Sequence, residues 1–184
     1  MTTRIPRPKA WKAAPEGLHP AVCVDAWEIW TETNKFDGGL QDKTRLVWQI
    51  DKTYKDEKTG EEKRYEVSMP YTASFHEKAK LRQHLESWRG RKFTENELDQ
   101  FYDGGGLELL LGKCCQLQVV HKISTNGNTY ANVQTIVPPH PGMEKLIVTP
   151  DFVRRKDRTK DEEPHGQGDD GPMEGDYSDD DVPF

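Results

Sequence analysis

Two periods of apolar spacing divide the chain. Residues 21–33 are rich in β-formers (Val22, Val24, Trp27, Ile29, Trp30, Thr31), and their imperfect alternation predicts a long, bent first strand covered in part on both faces. Residues 34–42, with Gly38-Gly39, read as a turn. Residues 43–54 alternate more cleanly: Leu46, Trp48 and Ile50 share one face, and Arg45, Val47, Gln49 and Asp51 share the other. Residues 55–63 form a charged hairpin loop around Thr59-Gly60. Residues 64–74 read as a third strand carrying Tyr65, Val67, Met69 and Tyr71, with Pro70 placing it at an edge or a bulge. The spacing then lengthens. Phe75, Ala79, Leu81, Leu85 and Trp88 fall on one side of a helix over 75–88, with Ser74 and Glu77 as a capping box and Gly90 as its stop. A second box, Thr94 and Glu97, opens a short helix over 95–101. After the break at Gly104-Gly105-Gly106 and a short apolar turn over 107–111, the period of two returns. Residues 114–123 and 129–137 are strands joined by Asn126-Gly127, and Pro138-Pro139 stops the second. In that last strand Tyr130, Asn132, Gln134 and Ile136 are assigned to one face, and Ala131, Val133, Thr135 and Val137 to the other. Residues 145–152 are read as a further small strand.

Three strands, a helical insert and a two-strand hairpin follow the order of the OB-fold, a small Greek-key barrel that binds oligonucleotides on one face. The expected fold class is therefore mainly β: a five-stranded OB-fold barrel over 17–150, with the helical insert between its third and fourth strands. Residues 1–16 read as an extended basic arm in which Arg4, Arg7, Lys9 and Lys12 surround Trp11. Residues 151–184 read as a basic hinge, Arg154 to Lys160, followed by a disordered acidic tail.

Charge changes this picture most at the end of the chain. The formal net charge is −6, yet the stretch from Asp161 onward carries ten carboxylates and no Lys or Arg, so residues 1–160 carry +4. The tail has too few apolar residues to offset its chain entropy. Cys23, Cys114 and Cys115 make no disulfide framework, and no Cys or His stands at zinc spacing, so neither a structural metal nor a cofactor is expected. No apolar run of membrane length and no signal-type segment occurs, which leads to the expectation of a cytoplasmic protein with no membrane partner. Nothing points to an enzyme. Gly104-Gly105-Gly106 lacks the Lys-Ser/Thr of a phosphate loop, and no Gly-x-Ser-x-Gly elbow occurs. His76-Glu77 has no second His one helical turn on. Catalytic residues are expected to be absent.

The end of the chain carries a more specific signal. Asp179-Asp180-Asp181-Val182-Pro183-Phe184 resembles the acidic tip of bacterial single-stranded DNA-binding proteins, which ends Asp-Asp-Asp-Ile-Pro-Phe. An aromatic ring beside a carboxylate on a flexible tether suits an apolar pocket flanked by cations on a partner. Over about residues 18–140 the body resembles phage-encoded single-stranded DNA-binding proteins. The resemblance rests on Ser74-Phe75-His76-Glu77-Lys78-Ala79-Lys80-Leu81-Arg82, Ser87-Trp88-Arg89-Gly90-Arg91, Leu111-Gly112-Lys113-Cys114-Cys115 and Tyr130-Ala131-Asn132-Val133. Together these imply a protein that coats single-stranded DNA without sequence preference during replication, recombination or repair in a bacterial host cell. Replication or repair proteins would be recruited by the tip, and self-association into dimers or arrays is compatible with a single barrel.

Single-strand binding needs cations along the phosphates and aromatic faces for the bases. The candidates drawn from the residues themselves are Trp30, Tyr54, Tyr65 and Tyr71 as platforms and Lys43, Arg45, Lys52, Lys63 and Arg64 as phosphate contacts. Lys122 and Tyr130 are added from the last hairpin. Trp48, between Leu46 and Ile50, is assigned to the core. Lys78, Arg82, Arg89 and Arg91 make a basic side of the helical region that reads first as a solvated face. The other reading is an adaptor in a replication or repair complex, with the barrel binding protein and the tail recruiting a repair factor.

Overall fold

The computed structural model describes residues 12–159. Six strands, β1 (Gly17–Ala26), β2 (Trp30–Thr33), β3 (Leu40–Lys55), β4 (Glu62–Thr72), β5 (Cys114–Ile123) and β6 (Thr129–Val137), form one antiparallel sheet. Two helices, α1 (Lys80–Arg89) and α2 (Glu95–Asp103), lie between β4 and β5. The hydrogen-bonded order is β2-β3-β1-β5-β6, with β4 on the other edge of β3. Among the described residues no ladder joins β4 to β6, so the expected closed five-stranded barrel is corrected to an open six-stranded sheet. Two features account for the difference. The predicted first strand breaks at residues 27–29 into β1 and β2, both paired to β3. And β4 and β6 approach each other without pairing, while α1 packs on both: Ser87 Oγ donates to the Ile136 carbonyl at 2.6 Å, and the Tyr71 hydroxyl and His84 Nδ1 lie 2.9 Å apart.

The inner face holds the main core. Leu46, Trp48 and Ile50 of β3 sit opposite Val67 and Met69 of β4, and Leu117 and Val119 of β5 opposite Ile136 and Val133 of β6. Leu81, Leu85 and Trp88 of α1 seal this layer. Each such fully buried side chain contributes about 1.5–3 kcal/mol. β1 is buried on both sides. Its Ala21 and Cys23 join the inner core, whereas Val22 and Val24 meet Val47 on the outer face under Leu146, Val148 and Phe152.

Local signals held where they were self-contained. Thr94 and Glu97 form the reciprocal capping box of α2, and Gly90 ends α1 in the left-handed conformation at φ 75°. β5 and β6 have the predicted limits. Pro70 lies on β4, which among the described residues pairs only with β3. The first capping box does not form. Ser74 Oγ instead accepts from the His76 N–H, His76 Nδ1 accepts from the Lys78 N–H, and α1 begins at Lys80 with no side-chain cap. Short polar side chains here satisfy the backbone in a turn and so compete with the helix. The two-sided pattern of β6 is also corrected. A bulge between the Gln118–Thr135 and Val119–Val133 pairs leaves Gln134 as the extra residue and returns Ile136 to the face of Val133. Residues 145–152 add no strand. The side chain of Gln49 takes the place of a ladder partner, accepting from the Thr149 N–H at 3.1 Å and donating to Thr149 Oγ1 at 2.8 Å.

Candidate nucleic-acid interface

The C-terminal end of β1 carries a buried carboxylate. Asp25, next to the bulge in the β1–β3 pairing, is 2% exposed. A carboxylate held out of water is costly unless it is both paired and hydrogen-bonded. Arg154 Nε donates to its Oδ1 at 2.9 Å and the Arg155 backbone N–H to its Oδ2 at 2.8 Å. Arg154 also reaches Glu108 at 2.9 Å, and Lys156 Nζ lies 3.3 Å from the same Glu108 oxygen. These cations hold the Glu108 carboxyl below its ordinary range, the hydrogen bond from Arg154 first. The described part of the basic stretch 154–160, expected to be a hinge, is thus docked on the sheet.

The break at 27–29 turns two aromatic rings to the same side. The Trp27 N–H donates to the Arg45 carbonyl at 2.9 Å, and Thr44 Oγ1 donates to the Trp27 carbonyl at 2.8 Å, so the backbone is fixed on β3 as it leaves the regular ladder. Trp27 and Trp30 then lie with ring centroids 6.1 Å apart, tilted by 52°. The Arg155 and Arg45 guanidinium carbons lie 3.9 and 4.9 Å from the Trp27 ring centroid. Arg45 also donates to Ser68 Oγ at 3.0 Å. A groove of about 410 Å³ runs along this edge, lined by Trp27, Ile29, Trp30, Arg45, Arg155 and Lys156 among others, with Asp25 and Arg154 in its wall. Aromatic faces beside guanidinium groups are the combination that takes a base and its phosphate.

Of the predicted residues, the sheet gathers Trp30, Lys43 and Arg45 at this edge. Lys43 stands opposite Trp30 in register, within 3.8 Å of Glu32, whose other oxygen accepts from Trp30 Nε1. Tyr54 and Tyr65 form a separate pair toward the β3–β4 turn, centroids 4.9 Å apart. Burial, with the charge of Glu66, raises the pKa of the Tyr54 phenol. Beside them Lys63 pairs with Asp56 at 3.0 Å, and Arg64 donates to the Ile147 carbonyl at 2.7 Å. Lys52 is exposed next to Asp51. Lys122 and Tyr130 face each other across the β5–β6 hairpin. Tyr71 is corrected from platform to core: it is 3% exposed and its hydroxyl is engaged with His84. On the basic side of the helices Lys78 is exposed, Arg82 pairs with Glu86, and Arg89 and Arg91 share Glu97. Those bonds, Arg91 first, hold the Glu97 carboxyl far below the usual carboxylate range. The tip, Asp179 to Phe184, and the arm residues Arg4, Arg7, Lys9 and Trp11 lie outside the described residues.

Sequence reasoning missed Trp27, Arg155 and Lys156. Residues three apart in a regular strand point to opposite faces, so Trp27 and Trp30 come together only because the strand breaks. The signal for the docked basic stretch was Asp25, an acid within an apolar strand that needs a cation.

Burial pushes the Cys23 thiol up to about 12 and the Cys115 thiol well above its ordinary value, so both stay protonated and unreactive at neutral pH. Among the described residues no group of three His, Cys, Asp or Glu side chains is placed to hold a metal, and no helix is long and apolar enough to cross a membrane. No protein-family model matches the chain, and no curated protein matches it.

Proposed function

We propose that this chain is a single-stranded DNA-binding protein that coats DNA without sequence preference during replication, recombination or repair in the cytoplasm of a bacterial host. The observation that carries the reading is the Trp27–Trp30 pair beside the Arg45 and Arg155 guanidinium groups in one open groove. Each base stacked there is worth about 1–3 kcal/mol, and each phosphate contact makes affinity fall with salt. The sheet is read as an opened OB-fold. The strand pairs β1–β3, β3–β4, β1–β5 and β5–β6 follow that Greek key, and β4 and β6 approach each other without the closing ladder. The acidic tip recruits replication or repair proteins, and the −10 tail competes with DNA for the +4 body.

A second reading, a protein-binding adaptor, draws on the cations already committed within the chain: Lys43 to Glu32, Lys63 to Asp56, and Lys156 to Glu108. A tryptophan-fluorescence titration with a thymine oligonucleotide separates the two. Saturable quenching that weakens steeply with salt, and strengthens in a chain ending at Lys160, is the expected result. A folded protein showing neither quenching nor binding at low salt overturns the DNA reading in favour of the adaptor.

A further inference from the structure

Within the groove, the best-buried charged group has the sign opposite to that of a DNA-binding residue. Asp25 receives the Arg154 guanidinium and the Arg155 backbone N–H on its two oxygens, and Arg154 continues to Glu108, which also receives Lys156. We propose that Asp25 is a positioning residue for polyanion binding: its carboxylate, with Glu108 as the outer arm, latches residues 154–156 to the end of β1 and thereby sets Arg155 and Lys156 along the groove. The inference rests on the single-stranded DNA reading and goes beyond it by naming what holds the cations in place.

The geometry separates this role from simple charge. Asp25 bonds the backbone of Arg155 and leaves its guanidinium on the Trp27 ring, so the acid fixes the cation's place without neutralising it. The other residues that tie this segment down are apolar or remote from the groove. Phe152 and Val148 pack on the outer cluster of Val22, Val24 and Val47, and Thr149 bonds Gln49. Release of the Asp25 bonds therefore loosens residues 154–156, leaving them to the Glu108 ion pairs and the Trp27 ring, while residues 146–152 stay docked. A carboxylate beside a DNA groove ordinarily repels phosphate, and its removal ordinarily tightens binding. Asp25 is expected to do the reverse.

The test uses the full chain, a thymine oligonucleotide and a series of salt concentrations, with Asp25→Asn, Glu108→Gln and Glu28→Gln compared with the native protein. Asp25→Asn is expected to weaken binding roughly tenfold at moderate salt and to lower the slope of log affinity against log salt by about 1, as for a lost phosphate contact. Glu108→Gln, at an exposed site that leaves folding undisturbed, is expected to shift both in the same direction by less. Glu28→Gln, an exposed acid in the groove lining but outside the latch, is expected to bind at least as tightly as the native chain. Limited trypsin digestion gives a readout independent of DNA: cleavage after Arg154, Arg155 and Lys156 should be faster in Asp25→Asn and Glu108→Gln. Tighter binding by both latch variants, or native cleavage rates in both, overturns the proposal. So does faster cleavage with unchanged affinity and salt slope, which leaves the DNA reading standing. Absence of binding by the native chain overturns the DNA reading itself, and with it this role for Asp25.

Discussion

Two tryptophan pairs in this molecule have nearly the same ring geometry and opposite surroundings. Trp48 and Trp88 lie 6.3 Å apart at 58°, and Trp27 and Trp30 lie 6.1 Å apart at 52°. The first pair is sealed. Trp48 is wholly buried between strands and helix, and Trp88 Nε1 donates to the Cys114 carbonyl at 2.9 Å. The second is bordered by guanidinium groups of Arg45 and Arg155 and opens on a groove. Ring contact alone therefore says little about role; what lies on the remaining faces decides it. Apolar side chains from α1 and the sheet give Trp48 no way to move. The second pair is half-buried at the rim of a groove, so removing a ring there empties no core space.

The comparison breaks most visibly in stability. Trp48→Ala is expected to cost about 3–5 kcal/mol through lost transfer energy and the cavity left behind, whereas Trp30→Ala is expected to cost less than about 1 kcal/mol. Urea-unfolding midpoints at constant slope measure both. Equal losses would show that the groove pair is as structural as the core pair.

The next effect concerns Tyr71, which was expected among the DNA contacts and lies in the core against His84. Burial first, and the charge of Lys80 second, lower the His84 pKa from 6.5 to about 4. Between those values the unfolded chain binds a proton that the folded chain refuses, so stability falls as pH is lowered through the window. The loss approaches about 3 kcal/mol near pH 4, since each tenfold drop in proton affinity on folding is worth about 1.4 kcal/mol. Unfolding midpoints at pH 7.5 and 5 should show this decline, and His84→Gln should flatten it. DNA affinity of a Tyr71→Phe chain should stay within about twofold of native, as expected for a side chain with no route to the bases.

In the groove, Trp30→Ala should weaken oligonucleotide binding by about 1–3 kcal/mol, a factor of roughly 5 to 150, while the unfolding midpoint barely moves. A fluorescence or anisotropy titration at fixed salt reads this. Unchanged affinity would remove the ring from the interface and leave the groove to its cations.

Legibility followed the range of the interactions. Thr94 with Glu97, Gly90, Asn126-Gly127 and the limits of β5 and β6 are set by neighbours in sequence, and each was readable from spacing alone. The start of α1 was not. Arg82 donates to the Phe75 carbonyl at 3.0 Å, and the Phe75 ring packs on Phe93, Phe101 and Tyr102 from the α2 region, so residue 75 is drawn out of the helix by partners from further along the chain. The segment over 145–152 failed as a strand because side chains from far earlier in the chain take its backbone groups, Gln49 at Thr149 and Arg64 at Ile147. The candidate site was half legible for the same reason. Trp30, Lys43 and Arg45 lie on strands whose pairing alternation foretells. Trp27 depends on a strand break, and Arg155 and Lys156 on an ion pair between residues 25 and 154.

A third aromatic pair tests where the boundary between the two environments runs. Tyr54 and Tyr65 lie 4.9 Å apart at 44°, both half-buried, and Tyr65 packs against the rim of the inner core. The cations beside them are committed, Lys63 to Asp56 and Arg64 to the Ile147 carbonyl. A base stacking here would have to displace those partners to gain its phosphate contact. Tyr65→Ala is therefore expected to cost about 1–2 kcal/mol of stability, the worth of a partly buried ring and its aromatic neighbour. It should change oligonucleotide affinity by less than about threefold, well below one stacked base. A loss of affinity as large as that of Trp30→Ala, at undiminished stability, would extend the binding surface to the β3–β4 turn. Exposure of a ring would then matter more than the pairing of the cations around it.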